Sequence, residues 1–177
     1  MVAPRASLGC VRLRPVAFSV SPPGGDRIHH IAPDDVRVVL GRLPNDVCGR
    51  LRAVHFNDRS RARVLGYVNR GRREIGLCAL PPRLSLTGAL RGQSPTEFGA
   101  RRGEQWPELA VRRYLLYHVL LHEIGHLQVI HPGARVERRK FAMEPCAERF
   151  ADHWRGILWS EPFEHPDPVH RRPAVGE

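Results

Sequence analysis

The chain has 177 residues, 42% of them hydrophobic, with a formal net charge of +10. That length and apolar content suit one domain with a real core and exclude a chain disordered throughout. No apolar stretch approaches the ~20 residues that a membrane-spanning helix needs, so no membrane partner is expected.

In chain order, residues 1–26 carry Arg5, Arg12 and Arg14, no acid before Asp26, and prolines at 4, 15, 22 and 23. They read as a flexible or extended lead-in with room for one short strand. Its apolar run, Val16 to Val20, is too short for a signal-peptide core. Asp34 to Leu40 suits a short helix, with an acidic pair at its start and Gly41 and Pro44 beyond its end. Leu51 to Phe56 alternates imperfectly and reads as a strand, as does Val64 to Val68. Asn69-Arg70-Gly71 is a turn signal, and Glu74 to Leu80 is a third strand, closing a hairpin. That third strand is expected either at an edge, able to pair with an extended peptide, or inside the sheet. Thr87 to Gly103 is rich in Gly, Ser, Arg and Pro without periodicity and reads as a flexible loop.

Trp106-Pro107-Glu108 opens a long helix, since Pro fits a first turn and Glu its positive end. It runs to about Val129, where Pro132-Gly133 stops it. A second helix spans about Met143 to Trp159, and Pro162, Pro166 and Pro168 leave 161–177 an irregular tail. Strands followed by two helices predict an α+β fold, with a small twisted sheet packed on both helices in one domain over 27–160.

Lys140 is the only lysine among 28 Lys and Arg. Arginines cluster at 59/61/63, 70/72/73, 101/102, 112/113 and 138/139, the last beside Lys140. Such charge favours acidic partners, nucleic acid included, although a solvated basic surface is the plainer reading. Cys10, Cys48, Cys78 and Cys146 form no C-x-x-C pair. Free thiols and a reducing cytoplasm are the expectation.

Inside the long helix stands His122-Glu123-Ile124-Gly125-His126, following the apolar run Tyr114 to Leu121. Residues four apart share a helix face, so His122 and His126 can aim two imidazole nitrogens at one tetrahedral Zn²⁺. Glu123 is placed to reach water rather than the metal, the position of a general base. A catalytic zinc takes a third protein ligand. His131 is the nearest candidate, but Val129 and Pro132 stand where H-E-x-x-H-x-x-G-x-x-H has Gly and His. Glu144 is the better one: with Pro145 next, it is expected at or just before the first turn of the second helix. Glu148, four residues on, lies on its face and can hold a ligand imidazole by hydrogen bonding. Cys146 lies close by.

H-E-x-x-H followed by Glu144-Pro145-Cys146-Ala147-Glu148-Arg149-Phe150-Ala151 resembles the E-x-x-A-[DEN]-x-F-A pattern of gluzincin zinc metallopeptidases. It is similar in CAAX-processing peptidases and in the soluble metalloproteases that cleave phage-type repressors. The resemblance covers about residues 106–159. It implies that His122, His126 and Glu144 bind zinc, that Glu123 is the base and that Glu148 supports a ligand. The chain departs from the pattern with Glu148 where Asp is commoner and with Pro145-Cys146 inside the motif. Upstream, Val54 to Asn57, Leu65-Gly66-Tyr67 and Arg73 to Leu77 resemble minimal SprT-like zincins, which act on DNA-bound proteins, but no H-G-x-x-F/W equivalent follows.

The implied reaction is hydrolysis of a protein or peptide substrate by zinc-activated water. Tyr67, Tyr114, His118, His153 and Arg155 are candidates to stabilise the oxyanion. His118, one turn before His122, reads equally as a support for that ligand and as a satisfied core histidine. The competing readings are a zincin scaffold that binds without cleaving, and a nucleic-acid-associated protein whose basic surface carries the main role.

Overall fold

Val54 and Phe56 lie two residues apart, so a strand points both the same way. Ile75 and Leu77 do likewise on a neighbouring strand, and all four are buried. The computed structural model of the chain describes residues 15–58, 64–128 and 137–174, with side chains from 143 onward in the last segment. In it these residues form one face of a four-stranded sheet. The strands are β1 (Ala17–Val20), β2 (Ala53–Asn57), β3 (Gly66–Asn69) and β4 (Glu74–Cys78), in the order β1-β2-β4-β3. β1, β2 and β4 run parallel, and β3 is antiparallel to β4. The third strand of the sequence reading is therefore β4, which is internal; β3 takes the edge. The opposite face carries a polar row across three strands. There the Ser19 hydroxyl lies 2.6 Å from His55 Nδ1, and His55 Nε2 lies 3.4 Å from Glu74.

Helices cover the apolar face. Helix α1 (Pro33–Arg42) starts with Pro at its first turn, and the Asp35 carboxylate accepts the Ala32 N–H at 2.8 Å, a capping arrangement. A one-turn α2 (Asn45–Cys48) follows. Then α3 (Glu108–Tyr114), a π-helical segment (Leu115–Leu120) and α4 (Leu121–Gln128) succeed one another without a break. All six residues of the π-helical segment are buried, because sheet, tail and last helix surround it. Helix α5 (Glu137–Ser160) packs along α4. It starts before the expected Met143, so Pro145 lies inside the helix, not at its first turn. Proline inside a helix leaves the carbonyl four residues earlier without its N–H. The architecture is α+β, and among the described residues no helix is long and apolar enough to cross a membrane.

Two segments are better packed than their composition suggests. The Gly- and Arg-rich connector over 87–103 is ordered around Phe98, which is fully buried. Its ring meets Trp106, Tyr114 and Trp159 at centroid distances of 6.2, 5.0 and 5.8 Å. Ser94-Pro95-Thr96-Glu97 makes a capped turn just before it, Glu97 accepting the Ser94 N–H at 2.7 Å. This S-x-x-E pattern is the sequence signal for order that the lack of periodicity hid. The Pro-rich tail also folds back. Val169 and His170 are buried, Asp167 pairs with Arg112 at 2.6 Å, and the Tyr117 hydroxyl meets His170 Nδ1 at 3.0 Å. Arg112 also reaches Asp35 at 3.1 Å. Arg113 is buried and donates to the Pro168 carbonyl at 3.3 Å. This arginine pair is thus structural. The 59/61/63 cluster, Cys10 and the side chains of Arg138, Arg139 and Lys140 lie outside the described residues.

Truncating the Phe98 hub in Phe98→Ala should cost about 3–5 kcal/mol, the range for a large aromatic removed from a core. Urea unfolding measures this; a loss under about 1 kcal/mol would return 87–103 to a loosely attached loop. Burial, with His165 adding to it, lowers the His170 imidazole to about 4. The unfolded chain then binds the extra proton first, so this contribution is full above the ordinary histidine value and is lost as pH falls from about 6.5 to 4. His170→Gln should flatten the fall in stability over that window by up to about 1.4 kcal/mol per pH unit. Unchanged slopes in denaturation at pH 7, 6 and 5 would count against it.

Candidate metal centre

The helical period brings His122 and His126 together on α4, their rings nearly perpendicular with centroids 4.6 Å apart. Glu144 reaches them from α5. Its two oxygens lie 3.2 Å from His122 Nε2 and 3.4 Å from His126 Nε2, and those nitrogens are 3.0 Å apart. Two imidazole nitrogens and a carboxylate are a donor set zinc accepts. With bonds of about 2.0–2.1 Å, tetrahedral geometry spaces ligand atoms about 3.3 Å apart; one atom from each of the three residues lies within 4.8 Å of the others, close enough to hold an ion after small side-chain adjustments.

Protons order the same atoms. The Arg70 guanidinium can only donate, and its NH2 group lies 3.2 Å from His126 Nδ1. His126 Nδ1 is thus an acceptor, and in the neutral ring the proton is on Nε2, facing His122 Nε2. His122 then carries its own proton on Nδ1, 3.4 Å from Glu148 Oε1. Burial, then His122, lowers His126 to about 4, so its ring is neutral at pH 7. The proton between the two Nε2 atoms occupies the place of a cation, and metal uptake at His126 Nε2 would shift it to Nδ1 of the same ring.

Behind the triad, Glu148 is the junction. Its other oxygen faces His118 Nε2 at 3.5 Å and accepts from Gln93 Nε2 at 3.2 Å. Burial raises this carboxyl above its usual range, while His122 pulls it down. His118 Nδ1 lies 3.4 Å from Arg155 NH1, so this nitrogen accepts and Nε2, facing Glu148, carries the proton. Burial and then Arg155 push His118 down to about 3, keeping it neutral. Arg155 is held by Asp152 at 2.8 Å and Glu97 at 2.9 Å, and Gln93 also donates to Asp152 at 3.1 Å. His118, His122 and Glu148 are close enough to hold a metal themselves. Glu148 lies at ion-pair distance from both rings, 3.5 Å from His118 Nε2 and 3.4 Å from His122 Nδ1, and His122 Nδ1 makes no hydrogen bond among the described residues.

Glu123 is buried, and its carboxyl is raised to about 8 by burial and then Glu144, against the pull of Arg70. It lines a cleft of about 1010 Å³ together with the triad, Glu148, β3 and the Leu86–Arg91 region. A Cβ on Gly66 would sit 2.8 Å from Val119 Cγ1 and 3.2 Å from Glu123 Cγ. Only glycine lets the edge strand lie this close to the helix. Of the candidate oxyanion groups, Tyr67, Tyr114 and His118 line the cleft. Tyr114 donates its hydroxyl to the Ala89 carbonyl at 3.1 Å. Arg155 is tied behind His118, and His153 packs on Trp154 at 5.4 Å. The Cys146 thiol takes an Arg149 N–H at 3.3 Å and is not in the triad. His131 lies outside the described residues. Arg70 and Gln93 are the site residues that the sequence reading missed. Gln93 carries no motif, and Arg70 read only as part of a turn and a charge cluster.

No protein-family model, curated protein or solved structure matches the chain.

Zinc content separates the roles of the two glutamates. Wild-type protein should hold one zinc, Glu144→Ala should lose it, and Glu148→Ala should keep the site with about 10–100-fold weaker affinity, the usual effect of removing an outer hydrogen-bond partner. Competition with a chromogenic chelator reads both; full-affinity zinc in Glu144→Ala would remove Glu144 from the ligand set.

Proposed function

We propose that the chain is a zinc-dependent metallopeptidase with a zincin-like domain, cleaving peptide bonds within a polypeptide. The single observation that carries this is the cluster of His122 Nε2, His126 Nε2 and the Glu144 carboxylate, whose two oxygens lie 3.2 and 3.4 Å from the two nitrogens, beside the buried Glu123. A purely structural site has no use for a carboxyl held in the cleft next to the ligands.

His122, His126 and Glu144 would hold the ion, and Glu148 would fix the His122 ring with its Nδ1 proton outward. When bound, zinc acidifies water and polarises a carbonyl. Glu123 takes the proton from the attacking water and hands it to the leaving amine. Its raised carboxyl suits the second half of that exchange, and a dication beside it would lower it toward the range where it serves the first. The free edge of β3 borders the cleft. An extended peptide hydrogen-bonded to that edge would lie across Glu123 and the triad, the part first considered for the strand now seen to be β4.

Glu123→Gln should keep one zinc per chain and lose about 10²–10⁴-fold in cleavage, the usual worth of a general base. A quenched-fluorescence peptide library with metal analysis on the same samples provides the test. Zinc-loaded wild type that cleaves nothing in the library, or Glu123→Gln that cleaves at the wild-type rate, would reject the proposal.

A further inference from the structure

We infer that Arg70 makes this cleft selective for an acidic side chain beside the bond to be cleaved. The inference rests on the peptidase reading above and names its substrate class. Arg70 lies in the turn after β3, where the edge strand meets the ligands. One guanidinium NH2 group lies 3.2 Å from His126 Nδ1 and the other 3.1 Å from Met143 Sδ, a weak acceptor. Its Nε is buried with no hydrogen-bond partner. Among the described residues no carboxylate forms an ion pair with it. Other arginines around the core do better: Arg112 has Asp35 and Asp167, Arg155 has Asp152 and Glu97, and Arg27 has Asp58.

A half-buried cation without a counter-ion is costly to hold unless a ligand supplies one. Its hold on His126 is also conditional. When His126 Nε2 gives its lone pair to a metal, Nδ1 must carry the proton, and two donors then face each other. The guanidinium loses this acceptor, and what remains open to it is the cleft that it lines with Glu123. A planar fork of N–H donors matches a carboxylate in bidentate fashion. Arg91 also lines this cleft and is exposed, so the field across it favours a peptide with acidic character. Glu123, Glu144 and Glu148 oppose that field on the floor, and a bound dication would offset them.

Two pools of fluorescein-labelled decapeptides test this. One has Asp or Glu fixed at the central position, the other Asn or Gln, with the remaining positions shared. Anisotropy is read with zinc-loaded Glu123→Gln protein, which binds without turnover. The acidic pool should bind about tenfold more tightly, the advantage should vanish in Glu123→Gln/Arg70→Gln, and Arg70→Lys should restore part of it. Zinc content and circular dichroism of each variant confirm an intact site. Equal binding of the pools, or acidic preference surviving Arg70→Gln, overturns the inference and leaves the peptidase reading standing. Failure of both pools to bind overturns both. A kinetic arm on the Glu123 protein separates a substrate carboxylate from the reaction's oxyanion. Loss in KM for the acidic pool alone supports the inference, and an equal loss in kcat for both pools overturns it.

Discussion

The site depends on how closely two helices approach at Gly125. A Cβ there would lie 3.1 Å from Ala147 Cα and 3.1 Å from Phe150 Cβ, tighter than side chains normally pack. The absence of that one carbon lets α5 lie against α4 at the level of the two histidines. From that second helix Glu144 and Glu148 reach His122 at 3.2 and 3.4 Å. Glycine in a helix interior costs about 1 kcal/mol relative to alanine. Here that cost is set against the geometry of the ligand triangle.

What α5 delivers is a pair of carboxylates with different surroundings. Glu144 is half exposed and faces the cleft, whereas Glu148 is mostly covered and wedged between two rings. The covered one is held by groups that are themselves held: Gln93 by the connector, His118 by Arg155, Arg155 by Asp152 and Glu97. Buried polar groups stabilise a single arrangement only when each is satisfied. The connector over 87–103 thus belongs to the site, although none of its residues touches the ligand triangle.

Much of this was legible. A helical period is enough to put His122, His126 and Glu123 in their places, and the same period pairs Glu144 with Glu148. The hairpin of β3 and β4 follows from alternation around a turn signal. Other features were not legible, for identifiable reasons. Pro145 looked like a helix start because proline suits a first turn, yet it is also tolerated inside a long amphipathic helix that tertiary packing holds. The edge and the interior of a sheet are decided by long-range pairing, so apolar content alone could not tell β4 from β3. Phe98 and Gln93 act through contacts far away in sequence, and local composition around them reads as loop. Arg70 forms no ion pair among the described residues and leaves its buried Nε unpartnered, and no window of sequence displays that.

Tyr117 and His118 are neighbours in the π-helical segment, yet they serve opposite sides of the molecule. Tyr117 hydrogen-bonds the tail through His170, and His118 faces Glu148 at 3.5 Å. The tail is therefore the back wall of the helix that carries His122 and His126. Cutting the chain after α5 would strand a buried phenol, at a cost of about 1–3 kcal/mol, one residue from His118. The smallest piece of this protein that keeps these contacts intact therefore extends past its last helix, to at least His170.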